Sequence, residues 1–192
     1  MTALAAYDND QAIKDMILEQ LAAHRGADEI VKGRYWENGK GCAVGCTLHS
    51  FAVASGRSDF KFSEHAVYDD IFGPGGQLLG RLEDQIFEGL PNDAARFWPE
   101  RFAKAFAPGR DYSHVGWEFL NWLLAESAAA SAVKGAWSVA LAAAAGVASA
   151  VSCAAILAAA ARAAETKRLE LEFGVVNSKM ADKLIELIEA VS

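Results

Sequence analysis

The stretch Leu78–Pro91 reads L-L-G-R-L-E-D-Q-I-F-E-G-L-P and carries the clearest structural signal in the chain. Its large apolar residues recur every three or four positions, the spacing that places side chains on one face of an α-helix. Gly89 and Pro91 end the pattern, as expected of residues that stop helices. The predicted apolar face consists of Leu78, Leu79, Leu82, Ile86 and Leu90.

The same spacing recurs along most of the chain. A first amphipathic helix is predicted from about Asp10 to His24, and a last one from about Asn177 to Val191. Strict alternation of apolar residues, which would indicate strands, occurs only briefly at 169–175. The sequence therefore predicts an all-α fold, in which Gly33–Gly41 is a loop with a turn at Asn38-Gly39.

An alanine-rich tract divides the chain into two parts. We predict a compact helical domain over residues 1–126, and over 127–192 a long alanine-rich helix or helical hairpin that packs on this domain or mediates self-association. One straight helix over Ser127–Ala164 would be about 57 Å long, too long for a domain of this size. A break near Gly135 or Gly146, or an oligomer, is therefore expected.

The tract is long enough to be tested as a membrane span. No charged residue occurs from Gly135 to Ala161. Its large aliphatic side chains would contribute only roughly −2 to −4 kcal/mol to insertion, and glycines and serines offset part of that. The sequence therefore predicts no membrane association. Those aliphatic residues are Val139, Leu141, Val147, Val151, Ile156 and Leu157.

Composition limits the classes of partner and the compartment. The net charge of −7 does not favour a nucleic-acid-binding surface, which depends on clustered Lys and Arg. Three cysteines are an odd number, which argues against a disulfide scaffold and for a reducing cytoplasm. The glycines at 39–41 and 73–76 lack the features of a phosphate-binding loop, so no cofactor is predicted.

Residues Gly39–Ser50 read G-K-G-C-A-V-G-C-T-L-H-S and hold most of the candidate chemistry. On a helix, Cys42, Cys46 and His49 fall within an arc of about 60°. Such a face can bind a metal, present a reactive thiol or pack into the core. The sequence leaves these three alternatives open.

A catalytic thiol is the first functional alternative. Cys42 at the start of a helix would have its thiolate favoured by the helix dipole, and the preceding Gly-Lys-Gly predicts that it is accessible. We therefore expect Cys42 to react faster than Cys46 or Cys153. A cysteine-dependent, hydrolase-like enzyme would also need a nearby base. The candidates for that base are His49, His65 and His114.

A zinc site is the second functional alternative. Zinc is usually held by four Cys or His ligands, and Cys42, Cys46, His49 and His65 would make such a set. Structural zinc sites usually contain a second pair of cysteines, which this chain lacks. We therefore expect well under one zinc ion per chain.

The remaining polar and aromatic residues have simpler interpretations. Asp84 and Glu88, beside Glu83, are predicted to lie on the solvated face of their helix. The tryptophans are predicted to pack in the core. Trp36, in the loop before the cysteine cluster, is the one expected to line a pocket.

Several longer motifs resemble a known group of proteins. They are Y-W-E-N-G-K-G-C-A-V-G-C-T-L-H (35–49), E-H-A-V-Y-D-D-I-F-G-P (64–74), L-E-D-Q-I-F-E-G-L-P (82–91) and W-P-E-R-F (98–102). The chain is similar over most of its length to uncharacterised proteins of phages and bacterial genomes with an alanine-rich segment before the C-terminus. The resemblance implies a phage or prophage context and no particular mechanism.

The sequence thus favours a soluble, cytoplasmic accessory or regulatory protein of this type that binds another protein or itself. The cysteine-dependent enzyme and a small zinc-binding helical protein are the alternatives. A buried Cys42 would favour binding, whereas an exposed Cys42 beside a base would favour the enzyme.

Overall fold

The computed structural model describes residues 5–131 and 167–191. These residues form a mostly helical structure, which confirms the predicted all-α class. The helices are α1 (Gln11–Gly26), α2 (Ala43–Ser55), α3 (Tyr68–Phe72), α4 (Gly76–Gly89), α5 (Asn92–Ala95), α6 (Trp98–Ala105), α7 (Val115–Ser131) and α8 (Lys167–Glu189). Short 3-10 helices at Ala6–Asn9 and His65–Val67 precede α1 and α3.

The helix boundaries follow from local sequence signals. The Asp10 carboxylate accepts a hydrogen bond from the Ala12 amide at 2.7 Å and caps the start of α1. The Asp69 carboxylate likewise accepts a hydrogen bond from the Gln77 amide, at 2.9 Å, in the first turn of α4. Gly56 adopts the left-handed conformation (φ 69°) that ends α2.

Helix α4 lies at the centre of the fold. It contacts α2, α3, α6, α7 and α8. Its predicted apolar face is buried, which confirms that part of the prediction. Because neighbours cover α4 on several sides, positions outside the apolar face are buried too.

Helix α8 belongs to the same core. It contacts α4, α6 and α7, and Leu184 and Ile188 are fully buried in the cluster that also contains α4. It begins at Lys167, ten residues before the start predicted from the sequence. The C-terminal helix therefore packs on the preceding helices.

The predicted loop at Gly33–Gly41 contains a short antiparallel hairpin, made of β1 (Trp36–Glu37) and β2 (Lys40–Gly41). Asn38 and Gly39 form its turn with positive φ angles of 53° and 77°, as two-residue hairpin turns require. The turn was predicted, but the strand pairing was not.

The predicted break near Gly135 or Gly146, and the choice between one helix and a hairpin, concern residues 132–166 and lie outside the described residues. Residues 135–161, which the sequence analysis considered as a membrane span, also lie outside the described residues. Within residues 5–131 and 167–191, no helix has both the length and the apolar character needed to cross a membrane.

Candidate functional site

The glycines of the Cys/His cluster hold the Tyr35 backbone against the start of α2. A Cβ atom would lie 2.0 Å from the Tyr35 carbonyl oxygen at Gly41 and 1.4 Å from it at Gly45, where real Cβ contacts essentially never fall below 3.0 Å. The Cys42 amide donates to the carbonyl oxygens of Arg34 (2.6 Å) and Tyr35 (3.2 Å). The G-C-A-V-G motif is therefore a seam of close backbone packing, with Gly41 at the end of β2 and Gly45 in the first turn of α2.

Both described cysteines are buried. Cys42 is 1% exposed and Cys46 is fully buried, with its thiol donating to the Gly41 carbonyl oxygen at 3.4 Å. Burial raises the pKa of both thiols, and the nearby charges of Asp84 for Cys42 and Glu83 for Cys46 raise them further. Both cysteines are therefore thiols at neutral pH.

The expectation that Cys42 is accessible and activated is wrong. Cys42 does occupy the N-cap position of α2, as predicted. The Arg34 and Tyr35 backbone lies against it, however, and burial raises the pKa of its thiol more than the backbone hydrogen bond from Gly45 lowers it.

Asp84 is the carboxylate around which the polar groups near Cys42 gather. Its Oδ2 atom lies 3.5 Å from Nε2 of His65. Burial raises the pKa values of Cys42 and Tyr35, and the charge of Asp84 raises them further. Asp84 is only 9% exposed, so the predicted solvated face of α4 is wrong at this position. Glu88, one turn further on, is exposed as predicted.

A small open cavity of about 230 Å³ lies beside Asp84. Glu88 connects α4 to the loop that lines the other side of the cavity, because its Oε1 atom accepts a hydrogen bond from the Gly33 amide at 3.0 Å. The sequence pointed to Trp36 as a pocket residue, but its neighbour Tyr35 lines this cavity. The lining residues are Gly33, Arg34, Tyr35, Cys42, Asp84 and Glu88.

Glu83, the carboxylic acid next to Asp84 in the sequence, is completely buried. The Tyr68 hydroxyl donates to one carboxyl oxygen, and the Thr47 hydroxyl lies 3.3 Å from the other. Burial raises the pKa of Glu83 to about 8. Glu83 is therefore a mostly protonated acid at neutral pH and does not face the cavity.

His49 belongs to a different cluster from Cys42. Its Nδ1 atom lies 3.2 Å from Nε2 of His24, whose Nδ1 atom lies 2.6 Å from the Glu29 carboxylate. The Trp36 ring stacks on His49 with a centroid distance of 4.2 Å. Burial, and next the neighbouring His24, lower the pKa of His49. This cluster joins α1 to α2.

The predicted catalytic and metal-binding sets are not brought together. His65 contacts Asp84 and His49 contacts His24, and no hydrogen bond among the described residues joins either imidazole to the Cys42 thiol. Within the same residues, no group of three or more His, Cys, Asp or Glu side chains has a metal-binding arrangement. The set Cys42, Cys46, His49 and His65 is therefore divided among separate surroundings.

Sequence reasoning missed His24, Glu29 and Tyr35. His24 could have been found, because it lies three positions after Leu21 on the apolar face of α1, where a histidine is buried and needs a polar partner. Glu29 and Tyr35 lie in a loop with no periodic pattern, so only the fold places them.

A second candidate is the groove between α5–α6 and α8, with a volume of about 190 Å³. Phe97 stands at its mouth and is 50% exposed. The guanidinium carbons of Arg25 and Arg96 lie 5.0 and 5.5 Å from the centre of the Phe97 ring. The groove is lined by Leu90, Ala94, Phe97, Trp98 and Arg101 on one side and by Ser178, Ala181 and Asp182 on the other.

Comparisons with known proteins do not assign the chain to a family. No protein-family model, curated protein or solved structure matches it.

Proposed function

We propose that this chain acts by binding protein, as an accessory or regulatory module of the phage or prophage type that its sequence resembles. The observation that carries the proposal is the exposed Phe97 at the mouth of an apolar groove. Aromatic side chains at the edge of a preformed pocket are common anchors of protein interfaces. The partner is a different protein or a second copy of the chain, and the compartment is the cytoplasm.

The buried thiols argue against the cysteine-dependent enzyme. A thiolate nucleophile needs a lowered pKa and a base within hydrogen-bonding reach. At Cys42 burial and Asp84 raise the pKa, and His65 contacts Asp84 instead of the sulfur. The groups around this cysteine therefore favour its neutral form.

Residue-resolved alkylation distinguishes the enzyme from the binding protein. The native protein is treated with iodoacetamide at pH 7 and compared with a denatured sample by mass spectrometry. We expect Cys42 and Cys46 to be modified only after unfolding, because both are buried. Rapid modification of native Cys42 that slows in a His65→Ala variant would instead support the enzyme.

Selection from a displayed library of random 16-residue peptides tests the binding role directly. We expect peptides that bind the full-length chain saturably, with equal affinity for wild type and a Cys42→Ser variant. Light scattering over a range of concentrations tests self-association in parallel. A chain that selects no peptide and stays monomeric at all concentrations would contradict the proposed function.

A further inference from the structure

We infer that Glu29, His24 and His49 form a pH-sensitive switch, which holds the β1–β2 hairpin through Trp36 and opens when both imidazoles become protonated. This histidine switch lies apart from the groove that carries the proposed function, and neither depends on the other. The order of the hydrogen bonds, the packing of the rings and the surrounding charges each support it.

The three side chains form a chain of hydrogen bonds between a loop and two helices. The Nδ1 atom of His24 lies 2.6 Å from the Glu29 carboxylate, which only accepts when ionised, so this nitrogen carries a hydrogen. The Nε2 atom of His24 lies 3.2 Å from Nδ1 of His49. That contact needs one hydrogen and one lone pair. It therefore forms when the two rings together carry either no extra proton or one.

A second extra proton is incompatible with this arrangement. With both rings charged, Nε2 of His24 and Nδ1 of His49 would each carry a hydrogen and face each other at 3.2 Å. The two positive rings would also repel each other, and the single charge of Glu29 neutralises only one of them. The closed switch therefore takes up one extra proton, whereas the separated rings take up two.

The hairpin is held by the same two rings. The Trp36 indole stacks on His49 with a centroid distance of 4.2 Å and meets the His24 ring edge-on at 4.9 Å. Phe62 packs against Trp36 and His49, with centroid distances of 6.2 and 5.5 Å. Separation of the two imidazoles therefore removes the surface on which the hairpin packs.

The surroundings of His49 favour its neutral form in the closed switch. Burial lowers the pKa of His49, His24 lowers it further, and Glu29 opposes both effects. Cys46, one turn earlier on α2, is a neutral thiol because burial raises its pKa. The second proton therefore binds to the closed switch only below the ordinary histidine pKa of about 6.5.

The other charged side chains beside the switch are engaged elsewhere or exposed. Arg25 pairs with Glu100 at 3.0 Å, and the Lys40 ammonium donates to the Asp28 carbonyl oxygen at 3.1 Å. Two exposed charges flank the rings that pack on His49, those of Glu37 and Lys61. Among the described residues, the two imidazoles are therefore the groups of this contact that change charge between pH 7 and pH 5.

Hydrogen exchange of the hairpin, measured by mass spectrometry from pH 7 to pH 5 in the presence of EDTA, tests the switch. The Val31 and Gly41 amides report on it, because they donate to the carbonyl oxygens of Gly41 (2.8 Å) and Glu29 (2.9 Å). After correction for the intrinsic exchange rate, we expect protection to fall by up to about 10-fold per pH unit below about pH 6.5. The reason is that opening binds one further proton.

Two variants and a matched control isolate the histidine pair. His49→Gln should abolish the pH dependence of protection, because a neutral amide at this position takes up no second proton. Glu29→Gln should move the loss of protection to higher pH, because it removes the anion that neutralises the closed pair. A purely structural role of Glu29 would instead lower protection equally at every pH. The control is His114→Gln, which replaces an exposed histidine and should respond like wild type.

A titration of the wild-type histidine ring signals by NMR needs no variant to fold. We expect one ring of the pair to stay neutral well below pH 6.5. Two rings that titrate independently near their ordinary pKa would overturn the switch. Equal protection of the hairpin at pH 5 and pH 7, or an equal loss in wild type and His49→Gln, would overturn it as well.

Discussion

At the scale of single residues, the Tyr35 carbonyl group fills the place that a side chain would occupy at Gly45. The Tyr35 oxygen is a backbone atom and the backbone fixes the position of an added Cβ atom, so no side-chain rotation can relieve a clash. The chain therefore tolerates only glycine there without moving the Tyr35 segment or α2.

We predict that Gly45→Ala lowers the free energy of unfolding by about 3 kcal/mol or more, at the upper end of overpacking effects. Gly26→Ala is the matched control, because no atom lies within 4 Å of its added Cβ atom. The control should be neutral or more stable by up to about 1 kcal/mol, the usual helix preference for Ala. Urea denaturation of both variants measures the difference, and equal stabilities would contradict the packing seam.

Glu83 gives the fold a dependence on pH. Its pKa is raised from 4.5 to about 8 by burial, so the folded state binds this proton more tightly than the unfolded state. The stabilisation is complete below about pH 4.5 and is lost as the pH rises to about 8. In that window Glu83 lowers the free energy of unfolding by up to about 1.4 kcal/mol per pH unit.

We predict that Glu83→Gln removes this slope, because an amide does not titrate and can keep hydrogen bonds to Tyr68 and Thr47. Unfolding free energies of wild type and variant are compared from pH 5 to pH 8. The difference should change steadily in favour of the variant as the pH rises. Parallel curves would show that Glu83 is already ionised in the folded protein.

At the scale of elements, α8 completes the core although the alanine-rich tract separates it from the other helices. Leu184 is fully buried among the residues of this core, whereas Val175 on the same helix is 70% exposed. The two positions therefore test whether α8 is part of the folding unit.

We predict that Leu184→Ala lowers the free energy of unfolding by about 2–5 kcal/mol, as loss of a buried leucine usually does. Val175→Ala, the control on the exposed face, should change it by less than about 0.5 kcal/mol. Thermal and urea unfolding measure both values. If Leu184→Ala leaves the free energy of unfolding unchanged, α8 does not stay packed on the core.

At the scale of the whole molecule, charge and the composition of the tract favour a protein that stays in water. The chain carries a net charge of −7, which opposes self-aggregation. The large aliphatic side chains of the tract would contribute only roughly −2 to −4 kcal/mol to its insertion into a membrane, which is marginal.

We predict that the full-length protein is recovered from the cytosolic fraction without detergent. The measurement is fractionation followed by carbonate extraction of the membrane pellet. Recovery only in the carbonate-resistant pellet would contradict the prediction.

The sequence by itself determined the helical class and the main apolar faces, because both depend on spacing within one helix. The buried face of α4, the start of α2 after Cys42 and the Asn38-Gly39 turn all follow from neighbours within a few positions. Gly45 appears in the sequence as a motif residue, but its contact with Tyr35 appears only in the fold.

Only the tertiary structure decided which polar residues are buried and which meet. A helical wheel assigns α4 one solvated side, but packing against five other helices also buries Glu83 and Asp84. His24 meets His49 across 25 positions, and Phe97 meets α8 across more than 80, at distances that no local pattern encodes. The predicted exposure of Cys42 was wrong for the same reason, because the loop that covers it is anchored to α4 by contacts such as the hydrogen bond from the Gly33 amide to Glu88, and the resulting burial raises the pKa of the Cys42 thiol.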